Sequence, residues 1–300
     1  MAFWYQIVFV LSLTILFLGA TPTVAACTVP AETDIDAFSQ GVQAANNQDY
    51  SIALELFTQA IQTKRHVAPA YANRCWVQIQ LEHYTAAVAD CSAALQTQPA
   101  HLEIYLNRGL AHYRLGNYRA AIDDTTHLLQ QQPDIRAYFN RGLAAAALGQ
   151  YESAIADYNA ALSQPIHLET KVMADIYVER GLVYLALTQA TAAMADFDQA
   201  IQLNPNHDRA YFNRGCTRGR QGDYRTAIQD FDRALQLDSE FAEVYLDRGL
   251  AYYNLNNIAQ ALRDLQQAAQ QFQQQNKRVA YQHTINLLQQ IRQARESTVT

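Results

Sequence analysis

The chain has 300 residues, of which 50% are apolar and 17% are charged, and its formal net charge is −6. This balance is typical of a globular protein that buries a sizeable core. Lysine occurs only at Lys64, Lys171 and Lys277, and the lack of a basic stripe argues against nucleic acid as a partner.

The chain begins with an apolar segment, FWYQIVFVLSLTILFLGA, at residues 3–20. We interpret residues 1–26 as a signal peptide or membrane anchor outside the folded part of the chain, and residues 27–33 as a short linker. The 18-residue length of the apolar segment is near the lower limit for a membrane span. No Lys or Arg precedes residue 64, so only the amino terminus can supply a positive flank.

The sequence VAAC at residues 24–27 leaves three alternatives open. It resembles a bacterial lipobox, in which Cys27 would be lipidated after cleavage behind Ala26. The small side chains of Val24 and Ala26 also suit ordinary signal-peptidase cleavage, which would release a secreted protein. The third alternative is an uncleaved anchor. All three place the rest of the chain outside the cytoplasm, in the periplasm or cell envelope, and two of them tether it to a membrane.

From residue 34 onward the sequence repeats itself. The heptapeptide RAYFNRG occurs at residues 136–142 and again at 209–215, and four near-copies occur elsewhere. The small residue after the arginine recurs with spacings of 34, 34, 33, 39, 34 and 34 residues. A period in this range indicates a repeat architecture. These marker residues are Gly41, Cys75, Gly109, Gly142, Gly181, Gly215 and Gly249.

Each unit predicts two α-helices. The first contains the Tyr-x-x-Arg-Gly segment and ends at a turn such as QGDY at residues 221–224. The second has apolar residues at helical spacing, as in RTAIQDFDRALQL at residues 225–237. Prolines near the ends of four units stop the second helix, because proline cannot continue a helix.

This helix-turn-helix pattern resembles the tetratricopeptide repeat family. With the marker as the eighth residue of each repeat, the family has an aromatic residue at the fourth position and alanine at the twentieth and twenty-seventh. Alanine fills the twentieth position in all seven units, while Leu128 departs at the twenty-seventh. The resemblance implies an all-α, right-handed solenoid whose small residues let helices approach closely. The seven repeats are residues 34–67, 68–101, 102–134, 135–168, 174–207, 208–241 and 242–275.

Two segments fall outside these repeats. Residues 276–294 have apolar side chains at helical spacing and resemble the helix that covers the last repeat in such arrays, so we predict a capping helix there and a tail at 295–300. The five residues ETKVM at 169–173 follow the fourth repeat, and we expect them to lengthen a turn or a helix end.

Arginine precedes the marker in repeats two to seven, and aspartate stands at the twenty-third position of the same repeats. Repeat one has Gln40 and Leu56 at these two positions. Because the two residue types appear and vanish together, we predict an ion pair between the two helices of one repeat. Pairing across repeats would leave Arg74 facing Leu56. The other interpretation is that the arginines are functional.

Repeat two alone has cysteine at both its eighth and its twenty-fourth positions, Cys75 and Cys91. The packing of the family brings these positions together, and such a pair in an exported protein suggests a disulfide. Two reduced cysteines in a core are the alternative. Cys216 is expected to stay free.

The resemblance also implies a concave groove lined by the second, fifth, ninth, twelfth and thirteenth positions of each repeat. These positions are largely apolar here, with scattered arginines, and suit an amphipathic helix or extended peptide with acidic residues. We expect Tyr113, Phe139 and Phe212 to exceed what packing between repeats needs, so that Tyr113→Ala with Phe139→Ala would leave thermal stability nearly unchanged. The predicted partner-binding residues are Trp76, Leu106, Leu110, Tyr113, Arg114, Arg136, Phe139, Leu143, Leu182, Arg209, Phe212 and Tyr253.

Catalytic and metal-binding motifs are not found in the sequence. The eight histidines fall at different phases of the repeats, and no glycine-rich phosphate loop occurs. We therefore expect a scaffold that binds a protein or peptide partner and is not an enzyme, without a metal, a cofactor or a small-molecule substrate. The alternative is a structural or assembly factor of a membrane or envelope complex that acts through its convex surface or its ends.

Overall fold

The computed structural model describes residues 36–164 and 170–299, with side chains as far as residue 294. These residues form fifteen α-helices and no β-strand, which confirms the predicted all-α class. The predicted leader at 1–26, the linker and Cys27 lie outside the described residues.

The helices belong to two compact units. The amino-terminal unit contains α1 Ala37–Asn46, α2 Tyr50–Gln62, α3 Val67–Gln80, α4 Tyr84–Thr97, α5 Leu102–Arg114, α6 Tyr118–Gln131, α7 Ile135–Ala147 and α8 Tyr151–Leu162. The carboxyl-terminal unit contains α9 Thr170–Ala186, α10 Ala190–Leu203, α11 Asp208–Arg220, α12 Tyr224–Leu237, α13 Ala242–Asn254, α14 Ile258–Gln274 and α15 Arg278–Val299.

Within each unit the helices pack in chain order, each against the next, which is the solenoid arrangement that the repeats predict. The odd-numbered helices α1 to α13 are the first helices of the repeats. Within a unit, successive first helices also contact each other; for example, α3 contacts α5 and α11 contacts α13. Successive second helices make no comparable contact in the described parts of the chain. The first helices therefore form the inner face of each unit.

The two helices of a repeat approach each other most closely at the marker position. A Cβ atom added to Gly142 would lie 2.6 Å from the ring of Tyr158, and one added to Gly215 would lie 2.7 Å from the ring of Phe231. Both distances are shorter than van der Waals contact, so any larger residue would push the helices apart. Glycine is needed here because a ring from the second helix fills the space.

Repeat two has a disulfide at the position where repeats four and six have a glycine packed against a ring. Its marker, Cys75, is joined by a disulfide to Cys91, which occupies the position of the ring in repeats four and six. Both cysteines are fully buried, and the bond links α3 to α4. Cys216 on α11 is buried and free.

The predicted ion pair within each repeat is confirmed. Nε and Nη2 of the arginine donate hydrogen bonds of 2.6–3.1 Å to the two carboxylate oxygens of the aspartate. The tyrosine at the fourth position lies under each guanidinium, with its ring centroid 5.2–5.8 Å away. These arginines hold the two helices of a repeat together. The six pairs are Arg74–Asp90, Arg108–Asp124, Arg141–Asp157, Arg180–Asp196, Arg214–Asp230 and Arg248–Asp264.

In five of these pairs the remaining guanidinium nitrogen, Nη1, donates to the preceding repeat. The acceptor is a hydroxyl in the amino-terminal unit, at 2.9–3.1 Å, and a carboxylate in the carboxyl-terminal unit, at 2.6 Å. Repeat one has Gln40 and Leu56 in place of the arginine and the aspartate. The acceptors are Thr58, Ser92 and Thr126 in the first unit and Asp198 and Asp232 in the second.

A residue with positive φ lies in the middle of the three-residue turn between the two helices of every repeat. Three repeats have glycine there, with φ between 73° and 84°. The other four have a side chain at φ between 59° and 65°, a conformation that is strained for L-residues. These four residues are Gln48, Glu82, Thr188 and Asn256.

The two segments outside the repeats are helical where the structure describes them. Residues 170–173 of the insertion add a turn to the start of α9, which has 17 residues, whereas α11 has 13. The capping helix α15 continues past its predicted end at residue 294 to Val299. Ile285 and Leu288 of α15 pack in one cluster with Leu265 of α14, so α15 covers the last repeat.

Candidate binding surface

The candidate surface is the inner face formed by the first helices. Five of the twelve predicted groove residues keep part of their apolar surface free there. Tyr253 on α13 is 39% exposed, and the other four are half-buried. These four are Trp76 and Leu110 in the amino-terminal unit and Leu182 and Phe212 in the carboxyl-terminal unit.

Four other predicted groove residues belong to the core of the amino-terminal unit. Tyr113 is only 5% exposed and Phe139 only 3%, and Leu106 and Leu143 are equally buried. The Phe139 ring packs against Tyr158 with centroids 6.0 Å apart. The expectation that Tyr113 and Phe139 exceed packing needs is therefore wrong. Truncating either residue would leave a cavity and destabilise the unit.

Two of the predicted groove arginines are already paired within the chain. Arg136 donates to both carboxylate oxygens of Glu103 at 3.0 Å and to Asp134 at 2.8 Å. Burial opposes ionisation of Asp134, but the hydrogen bonds and charge of Arg136, together with backbone N–H donors, lower the pKa of this carboxyl. Arg209 donates to Glu179 at 2.7 Å. These internal pairs contradict the expectation that Arg136 and Arg209 are available to an acidic ligand.

Arg114 lies on the same face as Arg136, at the end of α5. Its guanidinium carbon is 5.9 Å from the centroid of the Tyr84 ring. This contact joins the first helix of repeat three to the second helix of repeat two.

A polar cluster that sequence reasoning missed lies on the inner face of the carboxyl-terminal unit. Sγ of Cys216 on α11 donates to Oδ2 of Asp247 on α13, at 3.2 Å. Burial raises the pKa of Asp247 to about 6 and that of the Cys216 thiol well above its usual value. A sequence signal was present, because Cys216 stands at a ninth position where the neighbouring repeats have Leu182 and Leu250.

A second titratable group with a shifted pKa is the half-buried His112 in the amino-terminal unit. Its Nδ1 is buried and has no hydrogen-bond partner among the described residues. Burial lowers the pKa of His112, with a smaller opposing contribution from the nearby Asp124 carboxylate. The ring is therefore held in its neutral form.

Other kinds of site receive little support from the described residues. They contain no group of three or more side chains that could hold a metal ion. A shallow depression of about 330 Å³ between α14 and α15 is lined by four glutamines, by Arg292 and by four other residues, among them Tyr281 and Leu288. Among the helices that the structure describes, none combines the length and the apolar character needed to cross a bilayer.

Stacked helix pairs, with a close contact at one small residue per pair, define a helical-repeat protein. Family profiles agree: that of the TPR repeat matches residues 218–256, and those of the tetratricopeptide repeat match residues 73–134, 106–167, 174–207, 197–229 and 243–274. The chain belongs to the tetratricopeptide repeat family. Proteins of this family are generally non-catalytic scaffolds for protein–protein interaction.

Solved structures share the fold. A tetratricopeptide repeat protein from Parabacteroides merdae is 16% identical, with a TM-score of 0.66 over 83% of this chain and 97% of its own. PilF from Pseudomonas aeruginosa is 16% identical, with a TM-score of 0.61 over 72% of this chain and 95% of its own. A chain of the APC/C hetero-tetramer Cut9–Hcn1 is 17% identical, with a TM-score of 0.62, covering 72% of this chain and 42% of its own. The comparison with curated proteins found no match.

Proposed function

We propose that this protein is a scaffold that holds a peptide or helix of a partner protein on the inner face of its first helices. The observation that carries the proposal is that the inner face of each unit keeps partly exposed apolar side chains, Trp76 and Leu110 in the amino-terminal unit and Leu182, Phe212 and Tyr253 in the carboxyl-terminal unit. Aromatic side chains that keep free surface are the type most enriched at binding hot spots. The Cut9–Hcn1 assembly, which has the same fold, supports a role in building complexes.

The test begins with crosslinking in native membranes to identify the partner, followed by affinity measurements on matched variants. Tyr253→Asp places a charge on the inner face, and Gln236→Asp places the same charge at an exposed position of the second helix α12. We expect Tyr253→Asp to weaken binding at least tenfold, about 1.4 kcal/mol, and Gln236→Asp to bind like the wild type. Undiminished binding by Tyr253→Asp would move the function off the inner face.

We further propose that the protein is exported to the cell envelope and tethered there by a lipid on Cys27. The apolar segment at 3–20 and the VAAC sequence support this proposal. The disulfide between Cys75 and Cys91 adds to it, because disulfides persist in oxidising compartments.

Fatty-acid labelling tests the tether. We expect the wild-type protein to incorporate label and to fractionate with membranes, and Cys27→Ser to be unlabelled and either soluble or unprocessed. Identical fractionation of the two proteins, with no label on the wild type, would contradict lipidation.

The assembly-factor alternative has an observation of its own. Ile52 in repeat one is 54% exposed and Val279 at the start of α15 is 87% exposed, both more than any apolar residue of the inner face. If the protein acts through its ends, Ile52→Asp or Val279→Asp would abolish partner binding and Tyr253→Asp would not.

A further inference from the structure

Two carboxylates at the sixth position of their repeats, Glu179 and Asp247 in the carboxyl-terminal unit, differ in their pairing. Glu179 occupies the sixth position of repeat five and is neutralised by Arg209, the second residue of the next repeat, at 2.7 Å. The equivalent of Glu179 in repeat seven is Asp247, and the equivalent of Arg209 is Lys277. Lys277 instead donates from Nζ to Oε1 of Glu243, at 2.8 Å. Asp247 is therefore without the cation that its counterpart has.

The environment of Asp247 makes ionisation of its carboxyl energetically unfavourable without a paired cation. The side chain is half-buried, and its one hydrogen bond within the described residues comes from the neutral thiol of Cys216. The charged groups that face it are Arg220 on α11, which favours the ionised form, and Glu243 on its own helix, which opposes it. Burial dominates both and raises the pKa of Asp247 to about 6. A partly desolvated carboxylate of this kind gains most from a cation brought by a ligand.

The neighbours of Asp247 suit one class of cation. Leu250 follows it three residues later on α13 and Tyr253 six residues later, with Leu250 half-buried and Tyr253 39% exposed. An aliphatic stem can pack on such a surface while its charged head reaches the carboxylate. An accessible tyrosine ring also attracts ammonium and guanidinium groups.

We propose that the inner face of the carboxyl-terminal unit binds a lysine or arginine side chain of a partner peptide, with the cation paired to Asp247 and the stem packed on Leu250 and Tyr253. The inference rests on the proposed scaffold function and names the chemistry of its ligand. It reverses the expectation of an acidic ligand, because Arg136 and Arg209 are committed to internal carboxylates.

The experiment uses the full-length protein and two displayed peptide libraries with the same apolar positions. One library carries Lys or Arg at a single varied position, and the other carries Asp or Glu there. We expect binders from the basic library, and an affinity at least tenfold lower for Asp247→Asn. The matched control is Glu240→Gln, which removes the same charge from an exposed side chain outside the inner face and should bind like the wild type.

The pH dependence of the peptide affinity provides a second measurement. Protonation of Asp247 removes its charge, so the affinity for a selected basic peptide should fall between about pH 7.5 and pH 5, and Asp247→Asn should lose this dependence. Selection of binders from the acidic library alone, or equal binding by Asp247→Asn, would overturn the inference and leave the scaffold proposal standing. Failure of both libraries to bind would count against both proposals.

Discussion

In both units the arginine before the marker residue makes the same two hydrogen bonds to the aspartate of its own repeat. The two units differ in the acceptor of its remaining nitrogen, Nη1. In the first unit its remaining nitrogen meets a hydroxyl such as Thr126, and in the second it meets a carboxylate such as Asp232. The side chain of Asp232 is 45% exposed, so most of its charge remains hydrated. The bidentate pair inside each repeat is the constant feature, whereas the contact between repeats requires an acceptor and not a particular charge.

Removal of the arginine alone should have the largest effect, and an equal one in both units. Arg108→Leu and Arg248→Leu each strand a buried aspartate, Asp124 or Asp264, and should lower the free energy of unfolding by about 3–5 kcal/mol. The double variant Arg108→Leu with Asp124→Leu should lose less than the single one, because no charge is left behind. Urea unfolding measures these differences. A much smaller loss for Arg248→Leu would show that the second carboxylate changes the energetics of the pair.

The disulfide should be the next largest contribution, confined to the amino-terminal unit. Cys75 and Cys91 are 16 residues apart, and closing a loop of about this size stabilises by roughly 3 kcal/mol in the chain-entropy model. Cys75→Ala with Cys91→Ala should therefore lower the melting temperature and abolish its response to reductant, whereas Cys216→Ala should respond to reductant as the wild type does. In the oxidised, denatured wild type at most two thiols should react, those of Cys27 and Cys216. Three or more reactive thiols would disprove the bond.

Lowering the pH should change the stability of the two units in opposite directions. Burial lowers the pKa of His112, so the unfolded state binds a proton first as the pH falls, and the amino-terminal unit loses stability. The pKa of Asp247 is raised to about 6, so its carboxyl adds stability that is complete below about pH 4 and is lost as the pH rises through 6.

The size of the Asp247 effect is on the order of 1–3 kcal/mol, because burial raises the pKa of this carboxyl from its ordinary value to about 6. Unfolding free energies measured from about pH 4 to pH 8 for the wild type, His112→Gln and Asp247→Asn test both directions. Relative to the wild type, Asp247→Asn should gain stability as the pH rises, and His112→Gln should gain it as the pH falls. Parallel curves for the three proteins would contradict the burial of both groups.

The smallest expected effect lies in the turns. Thr188 has a φ of 59°, so Thr188→Gly should raise the free energy of unfolding by about 1 kcal/mol through release of backbone strain. Gly149 has a φ of 73°, and a Cβ atom added to it would meet nothing within 4 Å, so Gly149→Ala should cost a similar amount by strain alone. Thermal melts compare the two, and an unstable Thr188→Gly variant would show that the threonine side chain has a packing role.

The sequence pattern was sufficient for the contacts inside a repeat. Arginine and aspartate are both missing from repeat one, and this shared absence predicted the pair that the structure shows, such as Arg74 with Asp90. Contacts between repeats could not be predicted in the same way. The hydroxyl of Thr58 accepts from Arg74, but serine, threonine and aspartate at such positions look like ordinary solvent-facing residues until neighbouring helices are placed.

The inner face was predicted less well than the fold for the same reason. Family positions identify which residues point towards it, but not how far a neighbouring repeat covers them. Phe139 packs against Tyr158 and is buried, whereas Tyr253 in the last repeat remains exposed. The pairing of Arg209 with Glu179 also depends on two residues 30 positions apart, whose approach depends on the rotation between successive repeats.

The arginine contacts between repeats make the two ends of the repeat array inequivalent. Five of these arginines donate from Nη1 to the preceding repeat of the same unit, so removing a repeat from the amino end of either unit would remove the acceptor of a guanidinium nitrogen. Removing a repeat from the carboxyl end would leave a hydroxyl or an exposed carboxylate without its arginine donor, and water can replace that donor. For this contact, loss of a repeat therefore costs less hydrogen bonding on its carboxyl-terminal side than on its amino-terminal side.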